Sequence, residues 1–322
     1  MNGHVVVAVD GSAPATDAVR WAADDAARRG LPLRIVHVTE PWTGEQALIT
    51  PPGLSPPSPG EGARAVLSEA ARAARERVPG GLPVETAALT GQVRAVLLEE
   101  ARSAVELVVG TRGLGGFMGL VLGSVSMGVA GHTDCPVVVA GHVGTAPRGE
   151  IVVGHDGMAD SEAALEYAFA DAGRRGSRLR TIYAWQVSAF LPTFSSYTAD
   201  MDAAIDWGRH AAEEQLVPWR TRYPRVEVRD LIVSGDPVEA LSEASADADL
   251  VVVGSRGRGA IGSAMLGSVS HGLLHHAHCP VAVVRAREWA SRPQPGEAGR
   301  DEAPGGPGLD DRWGEGSGSL GR

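Results

Sequence analysis

Two stretches of the sequence repeat one arrangement of glycine and serine. Residues 107–140 contain Gly-x-x-Gly, then nine residues, then Gly-Ser-Val-Ser, and residues 251–284 repeat that spacing 144 positions later. Glycine permits tight turns and lets backbone N–H groups approach an anion closely. A helix that starts at the Gly-Ser segment adds unpaired N–H donors and the positive end of its dipole. Each stretch therefore predicts a phosphate site whose donors come mainly from the main chain.

An aspartate follows the first apolar run of each repeat. Asp10 comes after VVVAV, and Asp156 comes after IVVGH, 146 positions later. A carboxylate there suits a ribose hydroxyl or an adenine amino group. The combined prediction is a nucleotide whose phosphates lie on the glycines and serines and whose nucleoside lies near the aspartate. The simpler interpretation is that each aspartate only caps the turn into the first helix.

The elements that must position these residues are duplicated as well. The helix-like AVRWAADDAARRG (18–30) matches ALEYAFADAGRRG (164–176), and the match extends over most of the chain, which indicates one domain copied once. We therefore predict two domains, residues 1–143 (half one) and 148–288 (half two). Residues 289–322 are too poor in apolar side chains to fold alone, and we predict a disordered tail there.

Strand and helix patterns alternate within each half. Several strands are unbroken Val/Ile/Leu runs, as in parallel sheets covered on both faces. With right-handed crossovers, the predicted fold class is α/β, two tandem doubly wound five-stranded parallel-sheet sandwiches. The predicted strands lie near 5–10, 33–38, 84–89, 107–111 and 136–140 in half one, and near 151–156, 179–185, 226–232, 250–255 and 280–285 in half two.

The composition excludes several functional classes. All 29 basic residues are arginine, so the sequence offers neither a Walker A lysine nor a Schiff-base lysine. The net charge of −10 argues against a nucleic-acid partner or a membrane-surface partner. There are only two cysteines, no apolar run approaches the ~20 residues that span a bilayer, and the N-terminus enters a strand at once. These features predict a cytoplasmic protein.

Together the motifs resemble the ATP-binding signature of the universal stress protein family. The resemblance is carried by the glycine-serine spacing, the Val-Asp near the N-terminus and the Cys-Pro-Val-x-Val of the last strand, over roughly residues 3–141 and 149–286. Membership implies the strand order 3-2-1-4-5 and ATP bound without a Walker motif, with or without Mg²⁺. It also implies dimer-like pairing through the last strand, either within the chain or in a homodimer.

The resemblance assigns the binding residues position by position. Val38 and Ala184 would meet adenine through their backbone, and Arg112 and Arg256 would help to neutralise phosphate. The implied cofactor-binding set is Asp10, Val38, Gly110, Arg112, Gly113, Gly123, Ser124, Val125 and Ser126 in half one, and Asp156, Ala184, Gly254, Arg256, Gly257, Gly267, Ser268, Val269 and Ser270 in half two.

The predicted function is a nucleotide-dependent regulator in the stress response, without robust turnover. Two alternatives remain open: a slow ATPase or phosphotransferase with an arginine in place of lysine and a serine or His271 near the phosphates, and a partner-binding module with vestigial pockets. Arg258 has no counterpart in half one, and Gly154 replaces Ala8 of half one. Both differences favour tighter binding in half two.

Three further patterns have simpler explanations. Residues 257–262 satisfy G-x-G-x-x-G, but they lie in the last strand–helix unit rather than the first, which argues against a dinucleotide enzyme. The histidines of the cluster His271–His278 recur at helical spacing and could hold a metal ion. Half one lacks them, which favours a solvated or interface helix face. Cys135 and Cys279 are predicted to be buried thiols, with a regulatory disulfide as the alternative.

Overall fold

Each half alternates strand and helix over the residues that the computed structural model describes, which are 3–41, 59–113, 122–141, 146–156, 161–185, 198–257 and 266–285. The predicted tail and most of the proline-rich segment 41–62 lie outside them. The elements of half one are β1 His4–Ala8, α1 Ala13–Arg29, β2 Leu33–Thr39, α2 Pro59–Arg77, β3 Val84–Thr90, α3 Val93–Ala101, β4 Ala104–Gly110, α4 Ser124–Val129 and β5 Val137–Ala140. Those of half two are β6 Glu150–His155, α5 Glu162–Arg175, β7 Arg178–Trp185, α6 Thr198–Arg222, β8 Val228–Ser234, α7 Pro237–Ser245, β9 Leu250–Gly254, α8 Ser268–His276 and β10 Val281–Val284.

The strands of each half form a parallel sheet in the order 3-2-1-4-5. In half one β1 lies between β2 and β4, and in half two β6 lies between β7 and β9. The two sheets are continuous, because β5 and β10 pair antiparallel, with Val139 opposite Val281. The result is one ten-stranded sheet in the order β3-β2-β1-β4-β5-β10-β9-β6-β7-β8. The predicted fold class is confirmed, and the halves pair through their last strands within one chain.

Helices cover both faces of the sheet, which explains the unbroken apolar runs. Val5 and Val7 of β1 pack into one layer with α1, α2, α5 and α6, whereas Val6 packs into the other layer with α3, α4, α7 and α8. This arrangement places the carboxyl ends of β1 and β4 side by side, and likewise those of β6 and β9. Within the described part of the chain, no helix combines the length and the apolar character needed to cross a bilayer.

The strand register separates the two cysteines. Both are buried, Cys135 just before β5 and Cys279 just before β10. Because Val139 lies opposite Val281, Cys279 aligns with Gly141, six residues along the strand from Cys135. That spacing corresponds to about 20 Å, whereas a disulfide requires Cα atoms within about 7 Å. A regulatory disulfide between the two cysteines of one chain is therefore excluded.

A buried group of charges joins the two halves between α1 and α5. Arg29 donates to Glu106 Oε2 at 2.8 Å and also pairs with Asp25. Tyr167 of half two donates its hydroxyl to the same Glu106 oxygen at 2.6 Å, and Arg175 of half two lies 3.4 Å from Asp25. A hydrogen bond and an ion pair thus join the halves in addition to the β5–β10 pairing. We call this group the inter-half charge cluster; its members are Asp25, Arg29, Glu106, Tyr167, Asp171 and Arg175.

Glu106 breaks the two-fold pattern of the inter-half charge cluster. The Asp–Arg pairs of α1 and α5 correspond to each other, whereas the counterpart of Glu106 is Leu250. The Glu106 side chain is fully buried, and its Oε1 has no hydrogen-bond partner among the described residues. Burial, followed by the negative charge of Asp25, raises the pKa of Glu106 to about 8 although Arg29 opposes the shift. The fold therefore favours the protonated carboxyl.

Wild type should lose stability as pH rises from 5 to 8 because of Glu106, and Glu106→Gln should not show this part of the loss. In the unfolded chain this carboxyl ionises near pH 4.5, whereas in the folded chain it keeps its proton up to about pH 8. The folded state binds more protons in that window, so the free energy of unfolding falls as pH rises, by at most about 1.4 kcal/mol per pH unit. Urea denaturation from pH 5 to 8 should show Glu106→Gln gaining stability relative to wild type as pH increases. A difference that does not change with pH would contradict this expectation.

Candidate functional site

The end of β1 and the glycine loop after β4 meet in half one. Asp10 follows β1, and a Cβ atom added at Gly113 would overlap with Asp10 Oδ2. Ser12 connects the two segments, because its N–H donates to Asp10 Oδ1 at 3.0 Å and its hydroxyl donates to Arg112 O at 3.3 Å. The predicted carboxylate and the predicted glycine loop are therefore adjacent in space although they lie far apart in the sequence.

Half two repeats this arrangement with a wider gap. Asp156 follows β6, and a Cβ atom added at Gly257 would lie 3.5 Å from Asp156 Oδ2, which is ordinary van der Waals contact. Both Asp10 and Asp156 are partly exposed. The structure thus brings the same two predicted residues together in each half, and half two leaves more room between them.

The Gly-Ser segments begin helices beside these loops. Gly123 and Gly267 are the N-cap residues of α4 and α8. The Gly123 N–H donates to Thr111 O at 2.7 Å, and the Gly267 N–H donates to Ser255 O at 2.8 Å; each acceptor directly follows the preceding strand. Ser124 and Ser268 are the first helical residues and are exposed. The helix α8 has nine residues and α4 has six. The negative end of the longer helix lies farther from its N-terminus, so it offsets less of the positive end in half two than in half one.

The second serine of each segment points into the protein. Ser126 and Ser270 are both buried. The Ser126 hydroxyl donates to Gly110 O at 2.6 Å, and the Ser270 hydroxyl donates to Gly267 O at 3.0 Å and to Ser255 O at 3.3 Å. These hydrogen bonds hold the start of each helix against the end of the preceding strand. Both serines therefore have a structural role. The sequence pattern did not distinguish this role from ligand binding.

Two of the glycines are required by close packing. A Cβ atom at Gly110 would lie 2.9 Å from the backbone of Pro14 at the start of α1. A Cβ atom at Gly154 would lie 2.7 Å from Leu241 Cδ1, so a side chain of α7 fills the space that glycine leaves. Gly154 therefore provides no extra room for a ligand, and it does not support tighter binding in half two.

The other predicted residues surround the same two places. Val38 and Ala184 lie near the ends of β2 and β7, and Val125 and Val269 lie in the first turns of α4 and α8. All four are partly buried. Gly254 is the last residue of β9. In the glycine loops Arg112 is exposed and Arg256 is partly exposed. The prediction for Arg258 concerns a position outside the described residues.

His155 is a residue beside the half-two site that the sequence analysis did not single out. It directly precedes Asp156, it is buried, and its Nδ1 lies 3.2 Å from Gln215 Oε1. Its ring centroid lies 5.7 Å from that of Tyr183. Burial lowers the pKa of His155, although the hydrogen bond to Gln215 opposes the shift. Half one has valine at the equivalent position, and this difference between two similar repeats is the signal that could have revealed it.

The histidines of α8 agree with the prediction of a solvated helix face. His271, His276 and His278 are exposed. The ring centroids of His271 and His275 lie 4.9 Å apart, and partial burial, then the neighbouring imidazoles, lower the pKa of His275. Among the residues that the structure describes, no three His, Cys, Asp or Glu side chains are grouped so that they could hold a metal ion.

Comparisons with known proteins agree with the duplicated fold. The sequence model of the universal stress protein family matches residues 1–141 and 148–285. Universal stress protein Rv2623 of Mycobacterium tuberculosis is 34% identical over 301 residues, which cover 87% of this chain and 96% of that protein. The crystal structure of a universal stress protein from Archaeoglobus fulgidus aligns with a TM-score of 0.60 at 23% identity, over 89% of this chain and 99% of that one. A universal stress protein crystallised in complex with cAMP aligns over 42% of this chain, with a TM-score of 0.32 and 29% identity. The chain belongs to the universal stress protein family.

Proposed function

We propose that this protein is a nucleotide-dependent regulator in the stress response that binds ATP at one site in each half. One observation carries the proposal: a carboxylate lies against the second glycine of the loop in both halves, Asp10 at Gly113 and Asp156 at Gly257. In both halves a Gly-Ser-Val-Ser helix start hydrogen bonds to the base of that loop. Asp10 Oδ1 accepts the Ser12 N–H at 3.0 Å as a turn cap, while Asp10 Oδ2 faces the Cβ position of Gly113 in the glycine loop.

The phosphate groups would be bound mainly by the main chain. Backbone N–H groups of the glycine loops and of the first turns of α4 and α8 are the donors, and the exposed hydroxyls of Ser124 and Ser268 add to them. Arg112 and Arg256 follow the first glycine of each loop and would offset phosphate charge in a sequence that contains no lysine. Mg²⁺, where it accompanies ATP, would be held largely by the phosphates themselves.

The nucleoside would lie between the carboxylates and the ends of β2 and β7. Asp10 and Asp156 would accept hydrogen bonds from ribose hydroxyls, and the backbone of Val38 and Ala184 would meet the adenine edge. Half two is the tighter site in this proposal. The helix at its phosphates, α8, is longer than α4 of half one. The Cβ position of Gly257 lies at ordinary contact distance from Asp156, whereas that of Gly113 overlaps with Asp10.

The proposed role is regulation rather than catalysis. Main-chain amides and serine hydroxyls bind phosphate without supplying a general base, and no lysine is available to stabilise a transferred phosphoryl group. Phosphate release from wild type and from Gly257→Glu distinguishes the two roles. Turnover that the variant loses would favour a slow ATPase or phosphotransferase that uses the same sites.

Thermal unfolding with and without ATP tests the proposed function. A ligand that binds only the folded state at 100 times its Kd adds about 2.7 kcal/mol to the free energy of unfolding. The melting midpoint should therefore rise steadily with ATP concentration, and equilibrium dialysis should count two nucleotides per chain. An unchanged midpoint together with no retention of millimolar ATP would overturn the proposal and would favour a partner-binding module with vestigial pockets.

A further inference from the structure

A turn of half one lies against the base of the half-two loop. The helix α4 ends at Val129, and Gly131 in the turn after it has a left-handed backbone with φ of 71°. A Cβ atom added at Gly131 would lie 2.8 Å from Leu266 Cδ2 and 3.2 Å from Ser255 Cβ. The two halves therefore touch where the glycine loop of half two begins and where the segment leading to α8 ends.

Ser255 is the residue that holds this loop in place. It directly follows β9, it is 3% exposed, and its N–H donates to Val284 O at 2.7 Å. Its carbonyl accepts hydrogen bonds from Gly267 N at 2.8 Å and from the Ser270 hydroxyl at 3.3 Å. A displacement of Ser255 would therefore move both the loop that contains Gly257 and the start of α8.

Half two does not offer the same turn to half one. The counterpart of Gly131 is His275, which lies inside α8, because α8 continues to His276 whereas α4 stops at Val129. The turn after α4 is closed by the N–H of His132, which donates to Val129 O at 3.0 Å. Half one thus presents a closed glycine turn to half two, whereas half two has a helical histidine at the equivalent position.

We propose that Gly131 of half one is a positioning residue for the nucleotide site of half two, so that both halves of the chain build that site. The inference rests on the proposed function, nucleotide binding in half two. Glycine lets the turn approach Leu266 and Ser255 more closely than any side chain would permit. An added methyl group at Gly131 would have to push the Leu266 side chain aside, and it would press on Ser255 Cβ, which the backbone hydrogen bonds of Ser255 hold in place.

The test compares two left-handed glycines that differ in their surroundings. Gly30 has φ of 66°, and no atom of the described residues lies within 4 Å of its Cβ position, so Gly30→Ala introduces backbone strain alone. Gly131→Ala introduces similar strain and also overlap with Leu266. Both are made in the full chain carrying Gly113→Glu, which fills the half-one crevice and leaves half two as the measured site. Calorimetric titration with ATP then gives the affinity of that site.

We expect Gly131→Ala to weaken ATP binding by about fivefold or more, and Gly30→Ala to leave the affinity unchanged. Adding Leu266→Ala to Gly131→Ala removes the overlapping methyl groups and should restore the affinity. If the alanine variants do not fold, Gly131→Asn and Gly30→Asn replace them, because asparagine tolerates the left-handed region. Equal affinities of the Gly131 and Gly30 variants, or no rescue by Leu266→Ala, would overturn the inference alone. Absence of ATP binding by the Gly113→Glu parent and by wild type would overturn the proposed function as well.

Discussion

The variant Gly257→Glu should lose one of the two nucleotides that the chain is proposed to bind, with ATP affinity at half two reduced by more than about 100-fold. The Cβ position of Gly257 lies 3.5 Å from Asp156 Oδ2, so the new carboxylate would enter the space between Asp156 and the glycine loop. It would occupy the place proposed for phosphate and repel it. Equilibrium dialysis with ATP should show the stoichiometry falling from two nucleotides per chain to one.

The matched control for this variant is Gly62→Glu in α2. It makes the same change of charge and size, but in the part of the chain that the structure describes no atom lies within 4 Å of the Cβ position of Gly62, which has no left-handed φ. A glutamate in the first turns of a helix is also favourable. This control should retain two nucleotides at wild-type affinity. If Gly257→Glu also retained two, the phosphates would not lie on the half-two loop.

The second large effect is expected at the inter-half charge cluster. Arg29→Leu should lower the free energy of unfolding by about 3–5 kcal/mol, because buried Asp25 loses its nearest cation and buried Glu106 loses the guanidinium that donates to it. Arg175 and Arg28 lie farther from Asp25, at 3.4 and 3.7 Å. Both carboxyl groups are fully buried, so water cannot replace the lost contacts. Calorimetry should show the melting midpoint falling by roughly 10 °C.

An exposed ion pair provides the comparison for Arg29. Arg72 pairs with Glu69 and Glu76 on α2, and its side chain is 56% exposed. Arg72→Leu should therefore leave the melting midpoint unchanged. Adding Glu106→Gln to Arg29→Leu should recover part of the lost stability at pH 7, because glutamine removes the cost of keeping a buried carboxyl protonated in the folded state. Equal losses in the Arg29 and Arg72 variants would show that the cluster contributes nothing beyond surface charge.

The alternation of strand and helix patterns predicted the fold class, the resemblance supplied the strand order, and the two together predicted where the candidate site lies. Apolar runs such as Val137–Ala140 identify strands covered on both faces, and the carboxyl ends of neighbouring parallel strands must meet at one edge of the sheet. We therefore expected Asp10 beside the strand end at Gly110 and Asp156 beside that at Gly254. In the structure, the Cβ positions of Gly113 and Gly257 in the loops after those strands face the two carboxylates.

What the sequence could not predict depends on side chains from distant elements. Ser126 and Ser124 stand two residues apart in one motif, yet one is buried and the other is exposed, because the helix starts at Gly123 and turns them to different faces. The space beside Gly154 is filled by Leu241, nearly ninety residues later in the chain. In the sequence Glu106 is an ordinary acidic residue, and its burial results from the packing of α1 and α5 in the fold.

A crystal structure of the full chain with ATP tests the central claim most directly, namely that main-chain N–H groups of the glycine loops bind the polyphosphate. The account predicts phosphate oxygens within about 3 Å of N–H groups in the Gly257 loop and at the start of α8, with the ribose at Asp156. Half one should show the same arrangement at Asp10 and Gly113. ATP bound elsewhere, or phosphates held by arginine side chains without any main-chain contact, would contradict it.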